Sequence, residues 1–136
     1  MELELSVVLP TYNEADNIPV IVSKLSALLS GVEHEIIVAD DDSPDKTWEA
    51  AEGLKGKFPQ VRVLRRSGER GLYPAVAEGF DAARGRFLAV LDADLQHDET
   101  LLLPMLAALR SGTDLVNASR YAAGGGTRDW SLARRL

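Results

Sequence analysis

The chain has 136 residues, which suits a single domain, and its hydrophobic and charged fractions of 46% and 26% are ordinary for a soluble globular protein. A net charge of −6 argues against broad attraction to nucleic acid or to an anionic lipid surface, so we expect no nucleic-acid partner. The absence of cysteine excludes disulfides, thiolate metal sites and a cysteine nucleophile.

Short apolar runs alternate along the chain with segments whose apolar residues recur at helical spacing. The apolar runs predict strands at residues 5–9, 35–39, 61–64, 87–91 and 115–118. The segments between them predict helices that span about residues 18–31, 45–58, 73–83 and 99–110. This alternation indicates an α/β fold with a largely parallel sheet, right-handed crossovers and helices on both faces.

Three of the predicted strands end in unusually polar residues, which occupy positions 12–14, 40–42 and 92–94. In a parallel sheet these three strand ends lie on one edge. Open α/β sheets bind their ligands at the carboxyl ends of the strands. The convergence of so many acidic residues therefore predicts a ligand site at that edge.

Asp92 and Asp94 are the most informative of these acids. In an extended chain residues i and i+2 project to the same side, and Gln96 follows them if the extension persists. Two like charges at about 4 Å repel by roughly 1 kcal/mol in water and about 4 kcal/mol at an effective dielectric of 20, so the pair favours a cation. Mg²⁺ or Mn²⁺ is the natural candidate, because such ions take one or two carboxylates and complete their shell with water and phosphate oxygens.

Acidic residues near strand ends also begin helices and occur in several unrelated phosphate-binding folds. Asp98 and Glu99 suit the start of a helix, where negative charge is favourable. A dinucleotide-binding glycine motif or a P-loop is excluded, because Pro10-Thr11-Tyr12-Asn13-Glu14 follows the first strand. A phospho-acceptor receiver domain is a weaker alternative, since it would need an acid pair after the first strand and a lysine after the fifth. Here the fifth strand is followed by Ser119-Arg120.

Three segments together resemble the catalytic part of the inverting family 2 glycosyltransferases, which have the GT-A fold. They are VVLPTYNE at residues 7–14, IIVADDDSPDKT at 36–47 and DAD at 92–94. Within that family DADLQH at 92–97, ASRY at 118–121 and WSLARR at 130–135 are similar to the dolichol-phosphate and polyprenyl-phosphate hexosyltransferases. The resemblance covers essentially the whole chain. It implies a three-layer, Rossmann-like domain for nucleotide-sugar binding, with a mainly parallel central sheet, in residues 1–136 of a longer protein.

The resemblance also implies the site residues. Carried over by position, the nucleotide would be surrounded by Pro10, Tyr12, Glu14, Ala39, Asp41 and Asp92. The metal would be held by Asp92, Asp94 and Gln96, and the catalytic residues would be Asp94, Arg120 and Arg134, with both arginines near the phosphates or the acceptor. Where many relatives have a small, glycine-rich helix start, this chain has Gly71-Leu72-Tyr73-Pro74, which weakens the expectation of a nucleotide contact there.

The implied reaction is inverting transfer of a hexose, with mannose from GDP-mannose favoured, to a polyprenyl or dolichyl phosphate with help from Mg²⁺ or Mn²⁺. An acceptor phosphate is already ionised and needs no general base. The alternatives are UDP-glucose as donor or a sugar hydroxyl as acceptor, which would need a further base carboxylate. We expect a cytoplasmic protein that meets the cytoplasmic face of a membrane through segments after residue 136.

Overall fold

The computed structural model describes residues 3–94, 99–118 and 131–135. At residues 115–118 and 131–135 it describes the backbone alone. The strands found there are β1 (Leu5–Thr11), β2 (His34–Asp40), β3 (Val61–Arg65), β4 (Phe87–Val90), β5 (Leu115–Ala118) and β6 (Ser131–Arg135). The helices are α1 (Ile18–Leu28), α2 (Thr47–Glu52), α3 (Leu72–Ala82) and α4 (Leu102–Arg110), the last preceded by a 3₁₀ turn at Glu99–Leu101.

The strands form one sheet in the order β3-β2-β1-β4-β6-β5. β3, β2, β1 and β4 are parallel, whereas β6 is antiparallel to both of its neighbours. The mainly parallel α/β fold predicted from the sequence is therefore confirmed. The strand β6 was not predicted, because its short sequence SLARR lacks the apolar run that marked the others and depends on pairing with β4 and β5.

The sheet is covered on both faces. Leu5, Val7 and Leu9 of β1 share one core with the buried faces of α1 and α4. Val8, between them in sequence, points to the opposite face and packs with Ala75 of α3. This alternation is the two-residue period of a strand. It produces the three layers of the predicted fold.

The second helix is shorter than the sequence predicted, because α2 ends at Glu52 rather than near Phe58. The chain continues from Gly53 to Phe58 in successive turns, in which the N–H of Phe58 donates to the carbonyl of Leu54. Glycine loses more conformational freedom than other residues in a helix, so Gly53 and Gly56 favour these turns. Phe58 still packs against the main core.

The amino-terminal end of the sheet is fastened by a buried carboxylate. Glu35 of β2 accepts hydrogen bonds from Ser6 Oγ at 2.6 Å, the Arg84 N–H at 2.6 Å and Arg62 Nη1 at 2.7 Å. Burial alone raises the pKa of Glu35, but these hydrogen bonds outweigh it and hold the pKa below its usual value. None of the helices in residues 3–94 and 99–118 has the length and apolar character needed to cross a lipid bilayer.

Helix α3 approaches β1 so closely that residue 79 has no room for a side chain. A Cβ added at Gly79 would lie 2.5 Å from Cγ1 and 3.1 Å from Cγ2 of the buried Val8. Overpacking of this kind costs about 1–3 kcal/mol, whereas replacing a helical glycine by alanine gains at most about 1 kcal/mol. We therefore expect Gly79→Ala to lower the free energy of unfolding by about 1–2 kcal/mol in urea denaturation.

The chain offers a matched control at Gly53, where an added Cβ would meet only ordinary contacts at 3.5 Å and beyond. Gly53 has a right-handed φ of −66°, so Gly53→Ala should be neutral or stabilising by up to about 1 kcal/mol. A Val8→Ala background should relieve much of the cost of Gly79→Ala. Equal costs in both backgrounds would show that contact with Val8 is not the cause.

Candidate nucleotide and metal site

The direction in which successive strands are added to the sheet reverses beside β1. From β1 the chain crosses to β2 and β3 on one side, and it then returns to β4 on the other side of β1. In open α/β sheets such a switch point leaves a crevice at the carboxyl ends of the strands, where ligands bind. The polar segments predicted from the sequence follow β1, β2 and β4, the three strands at this point.

The loops after β1 and β2 are joined by backbone-to-side-chain hydrogen bonds. The N–H of Asn13 donates to Ser43 Oγ and that of Glu14 to Thr47 Oγ1, both at 2.9 Å. Asn13 has a φ of 55°, a left-handed conformation that asparagine tolerates better than most residues. The two loops thus form one rigid wall of the crevice.

The three consecutive acids after β2 have three different environments. Asp40 is fully buried and accepts hydrogen bonds from Thr11 Oγ1 at 2.7 Å, Ser43 Oγ at 2.6 Å and the Ser43 N–H at 3.0 Å. Asp42 is exposed and pairs with Nε of Arg65 at 2.7 Å. Asp41 lines a cavity. Asp40 is therefore a structural group, and Asp41 is the acid available to a ligand.

A cavity of about 390 Å³ lies at this edge of the sheet, lined by Pro10, Thr11, Tyr12, Asp41, Arg70, Gly71, Leu72 and Ala75. Its volume lies within the range of small-molecule sites. Its lining is mostly apolar or aromatic, with one carboxylate and one guanidinium among the side chains. This composition suits a flat, polar-edged group such as a nucleobase.

Arg70 and Gly71 belong to the loop before α3, and Leu72 is the first residue of that helix, a segment at which the sequence offered little reason to expect a nucleotide contact. Gly71 has a φ of 134°, which few other residues adopt, and its N–H donates to Asp41 Oδ2 at 3.0 Å. Arg70 lies over Tyr12, with Nη1 donating to the phenol oxygen at 3.2 Å and its guanidinium carbon 5.1 Å from the ring centroid. Its position could have indicated this contact, because the loop follows the parallel strand β3 and so lies at the same edge of the sheet as the loops after β1 and β2.

Acidic side chains dominate the part of the crevice after β4. Asp92 and Asp94 are half-buried there. Burial raises the pKa of Glu14, and the negative charges of Asp94, Asp92 and Asp45 raise it further, against a lowering hydrogen bond from Asn17. The two predicted metal ligands therefore lie near enough to Glu14 for their negative charges to raise its pKa.

A divalent ion fits this chemistry. Within the part of the chain whose side chains the structure describes, no cluster of three or more acidic or histidine side chains has the geometry to hold a metal. Asp92 and Asp94 remain the acids that the sequence predicts as metal ligands. Mg²⁺ is commonly bound by one or two carboxylates together with substrate phosphates. Asp92 and Asp94 are therefore suited in charge and donor type to holding a divalent ion.

The remaining predicted site residues lie in several places. Ala39 is fully buried in the core under α3, so its side chain faces away from solvent. Arg134 lies in β6, where its backbone is paired with Leu88 and Leu115. Gln96 and Arg120 lie outside the described residues. Pro10, Tyr12 and Asp41 are the predicted nucleotide contacts that line the cavity.

The alternating fold with an acidic switch-point crevice agrees with the sequence comparison: the chain belongs to Glycosyl transferase family 2, whose model matches residues 6–136. It is 43% identical over 134 residues to a dolichol-phosphate mannosyltransferase of Pyrococcus furiosus, covering 98% of this chain and 38% of that protein. The chain spans 38% to 52% of the length of the dolichol-phosphate mannosyltransferases compared, which are 36% to 43% identical to it.

Two solved structures have a similar fold. A mannosyltransferase from Pyrobaculum calidifontis, solved in complex with GDP-Man and Mn²⁺, matches with a TM-score of 0.74 at 19% identity, over 99% of this chain and 45% of that one. Glucosyl-3-phosphoglycerate synthase from Mycobacterium tuberculosis, solved with Mn²⁺, UDP and glucosyl-3-phosphoglycerate, matches with a TM-score of 0.68 at 26% identity, over 86% and 43%. These likenesses confirm the GT-A fold.

Proposed function

We propose that residues 1–136 form the donor-binding domain of a polyprenyl-phosphate mannosyltransferase. The reaction is inverting transfer of mannose from GDP-mannose to a dolichyl or other polyprenyl phosphate. The observation that carries the proposal is the cavity containing Tyr12 and Asp41, with the Asp92 and Asp94 pair in the same crevice. The identity to dolichol-phosphate mannosyltransferases along nearly the whole chain supports this choice of donor and acceptor.

The base and ribose occupy the cavity in this proposal. Asp41 is an acceptor for N–H donors of the base, because an ionised carboxylate has only acceptor capacity. Pro10 and Tyr12 supply apolar and aromatic surface. Of the other predicted contacts, Glu14 lies in the loop after β1 and Ala39 lies in β2. The diphosphate then extends from the cavity toward the acids after β4.

Asp92, Asp94 and Gln96 would hold Mg²⁺ or Mn²⁺ at the diphosphate end. When bound, a divalent ion would supply positive charge to offset the charge that develops on the departing nucleoside diphosphate. Arg120 and Arg134 are assigned to donate charge-assisted hydrogen bonds to phosphate oxygens of the donor or acceptor. The presence of Mn²⁺ in a structural relative of 26% identity supports the use of a divalent ion.

The acceptor is assigned as a lipid phosphate, which attacks the anomeric carbon from the side opposite the leaving group. Because that phosphate is already ionised at neutral pH, the mechanism needs no general base. The relatives are about two to three times as long as this chain. We therefore assign contact with the cytoplasmic face of a membrane, and the acceptor site, to segments outside the matched region.

UDP-glucose is the second candidate donor. The synthase from Mycobacterium tuberculosis, 26% identical to this chain, was solved with UDP. A carboxylate that accepts N–H donors would also accept the imide N–H of uracil. Sugar hydroxyl acceptors are a further alternative, and they would require a base carboxylate to remove the hydroxyl proton.

The test is calorimetric titration of the 136-residue chain with GDP, UDP and ADP, with and without Mn²⁺. We expect GDP to bind most tightly and Mn²⁺ to strengthen its binding. Saturation at 100 times the dissociation constant should stabilise the fold by about 2.7 kcal/mol in a parallel thermal-shift measurement. Tighter binding of UDP would favour the second donor, and no Mn²⁺-dependent binding of any diphosphate would contradict the proposed function.

Transfer to lipid is tested separately. A chain extended at its carboxyl end to the length of the relatives should transfer radiolabelled mannose from GDP-mannose to a polyprenyl phosphate, and the 136-residue chain should do so poorly. Efficient transfer by the 136 residues alone would show that these residues already contain the acceptor site.

A further inference from the structure

A buried arginine stands behind Asp41, the carboxylate of the cavity. Arg66 directly follows β3, and its N–H donates to the carbonyl of Asp40 at 2.7 Å, so the strand pairing continues to this residue. Its side chain is only 5% exposed. Burying a guanidinium has a considerable desolvation cost, which only well-placed acceptors for its N–H groups can offset. The partners of Arg66 therefore indicate its role.

The donors of Arg66 have three partners on three segments. Nη1 pairs with Oδ1 of Asp41, Nε donates to Oε2 of Glu78 on α3 at 2.7 Å, and Nη2 donates to the carbonyl of Glu69 at 2.9 Å. The other oxygen of Asp41, Oδ2, accepts the N–H of Gly71 at 3.0 Å. Both carboxylate oxygens are thereby fixed from the protein side.

This arrangement determines the plane of the carboxylate. Oδ1 of Asp41 is buried against the guanidinium and has no surface that a ligand can reach. An ionised carboxylate oxygen has about two acceptor positions, so the position that remains for a ligand is on Oδ2. The guanidinium is a planar fork whose donors have fixed directions, and anchoring by Glu78 and Glu69 prevents it from turning with Asp41. The carboxylate is therefore presented to the cavity in one orientation.

We propose that Arg66 is a positioning residue which, through Oδ2 of Asp41, sets the selectivity of the cavity for nucleobases that carry a ring N–H donor. This inference rests on the proposed function, in which Asp41 contacts the base. Guanine and hypoxanthine both present an N1–H, which the fixed Oδ2 of Asp41 can accept. Adenine has an acceptor at N1 instead.

Arg62 provides a matched control on the same strand. It also lies on the α3 side of the sheet, donating from Nη1 to the buried Glu35 at 2.7 Å and to the carbonyl of Ala82 at 2.8 Å. Residues 62 and 66 are four positions apart and so project to the same side of an extended chain. The Arg62 pair, however, lies at the end of the sheet remote from the cavity, where Glu35 meets Ser6.

The experiment measures dissociation constants of GDP, IDP and ADP, each with and without Mn²⁺, for the wild type and for Arg66→Lys, Arg62→Lys and Glu78→Gln. Lysine keeps the charge and loses the fork. We expect Arg66→Lys to weaken GDP and IDP about 10–100-fold, the effect of losing a hydrogen bond to a charged group, and ADP much less. The factor by which Mn²⁺ strengthens GDP binding should stay the same, because Asp92 and Asp94 are untouched.

Glu78→Gln tests the same chain of contacts at a half-exposed residue whose substitution leaves the core unchanged. It should lower the preference for GDP over ADP in the same direction as Arg66→Lys, by a smaller factor. Arg62→Lys should lower the melting temperature without changing that preference.

The outcomes separate the two proposals. A wild type that binds none of the three nucleotides contradicts the proposed function itself. A wild type that prefers GDP, together with an Arg66→Lys variant that weakens GDP, IDP and ADP equally, would overturn the role of Arg66 alone. An Arg62→Lys variant that changes the preference as much as Arg66→Lys would overturn it as well.

Discussion

Asp94→Asn is expected to abolish the Mn²⁺-dependent part of nucleoside diphosphate binding while leaving the fold intact. The substitution removes one of the two carboxylate charges after β4 and changes the side-chain volume little. Mutation of residues that only support a metal ligand costs about 10–100-fold in metal affinity, so the loss of a ligand should cost at least about 100-fold. Calorimetric titration with GDP in the presence and absence of Mn²⁺ measures the effect, and thermal unfolding checks the fold.

The control for this substitution is Asp42→Asn. It removes the same charge from the same edge of the sheet, at an exposed residue whose φ of 51° asparagine also tolerates. Mn²⁺ should strengthen GDP binding to this variant as it does for the wild type. An Asp94→Asn protein that kept the Mn²⁺ effect would remove Asp94 from the metal site.

Asp40→Ala should have the largest effect on stability. The fully buried carboxylate accepts three hydrogen bonds, two of them from Ser43 and one from Thr11, and its loss leaves their donors without this partner. Each buried donor left unsatisfied costs about 1–3 kcal/mol, so we expect the free energy of unfolding to fall by at least about 3 kcal/mol. Urea denaturation followed by circular dichroism measures this loss.

Asp42→Asn again serves for comparison, because the exposed pair with Arg65 should contribute no more than about 1 kcal/mol. The prediction would be wrong if the two variants lost similar amounts of stability. A second check is nucleotide binding at low temperature, where any folded Asp40→Ala protein should bind weakly, since Asp40 joins the loops after β1 and β2.

The apolar runs allowed the fold to be predicted, because a strand buried on both faces must be apolar throughout. A parallel arrangement of these strands also predicts that the three polar strand ends lie on one edge of the sheet, and the cavity lies at that edge. Composition could not separate the roles of Asp40, Asp41 and Asp42. Their difference depends on burial and on a left-handed φ at Asp42, both consequences of how the loops pack.

The contributions of Arg66 and Arg70 were also beyond sequence reasoning. Their cavity partners Asp41 and Tyr12 lie 25 and 58 positions away along the chain, in the loops after β2 and β1 respectively. A surface ion pair is the commoner role of an arginine. The likeness to relatives pointed to the loops that carry acids. It gave little weight to the loop after β3, whose arginine and glycine backbone complete the cavity.

The antiparallel strand β6 has a consequence for handling the protein. β5 reaches the rest of the sheet only by pairing with β6, and β6 in turn covers the edge of β4. A cut that removed residues 131–135 would therefore release two strands and leave the backbone donors and acceptors of β4 open. An exposed edge of this kind is a template for pairing with other chains, so aggregation is the expected fate of a clipped product.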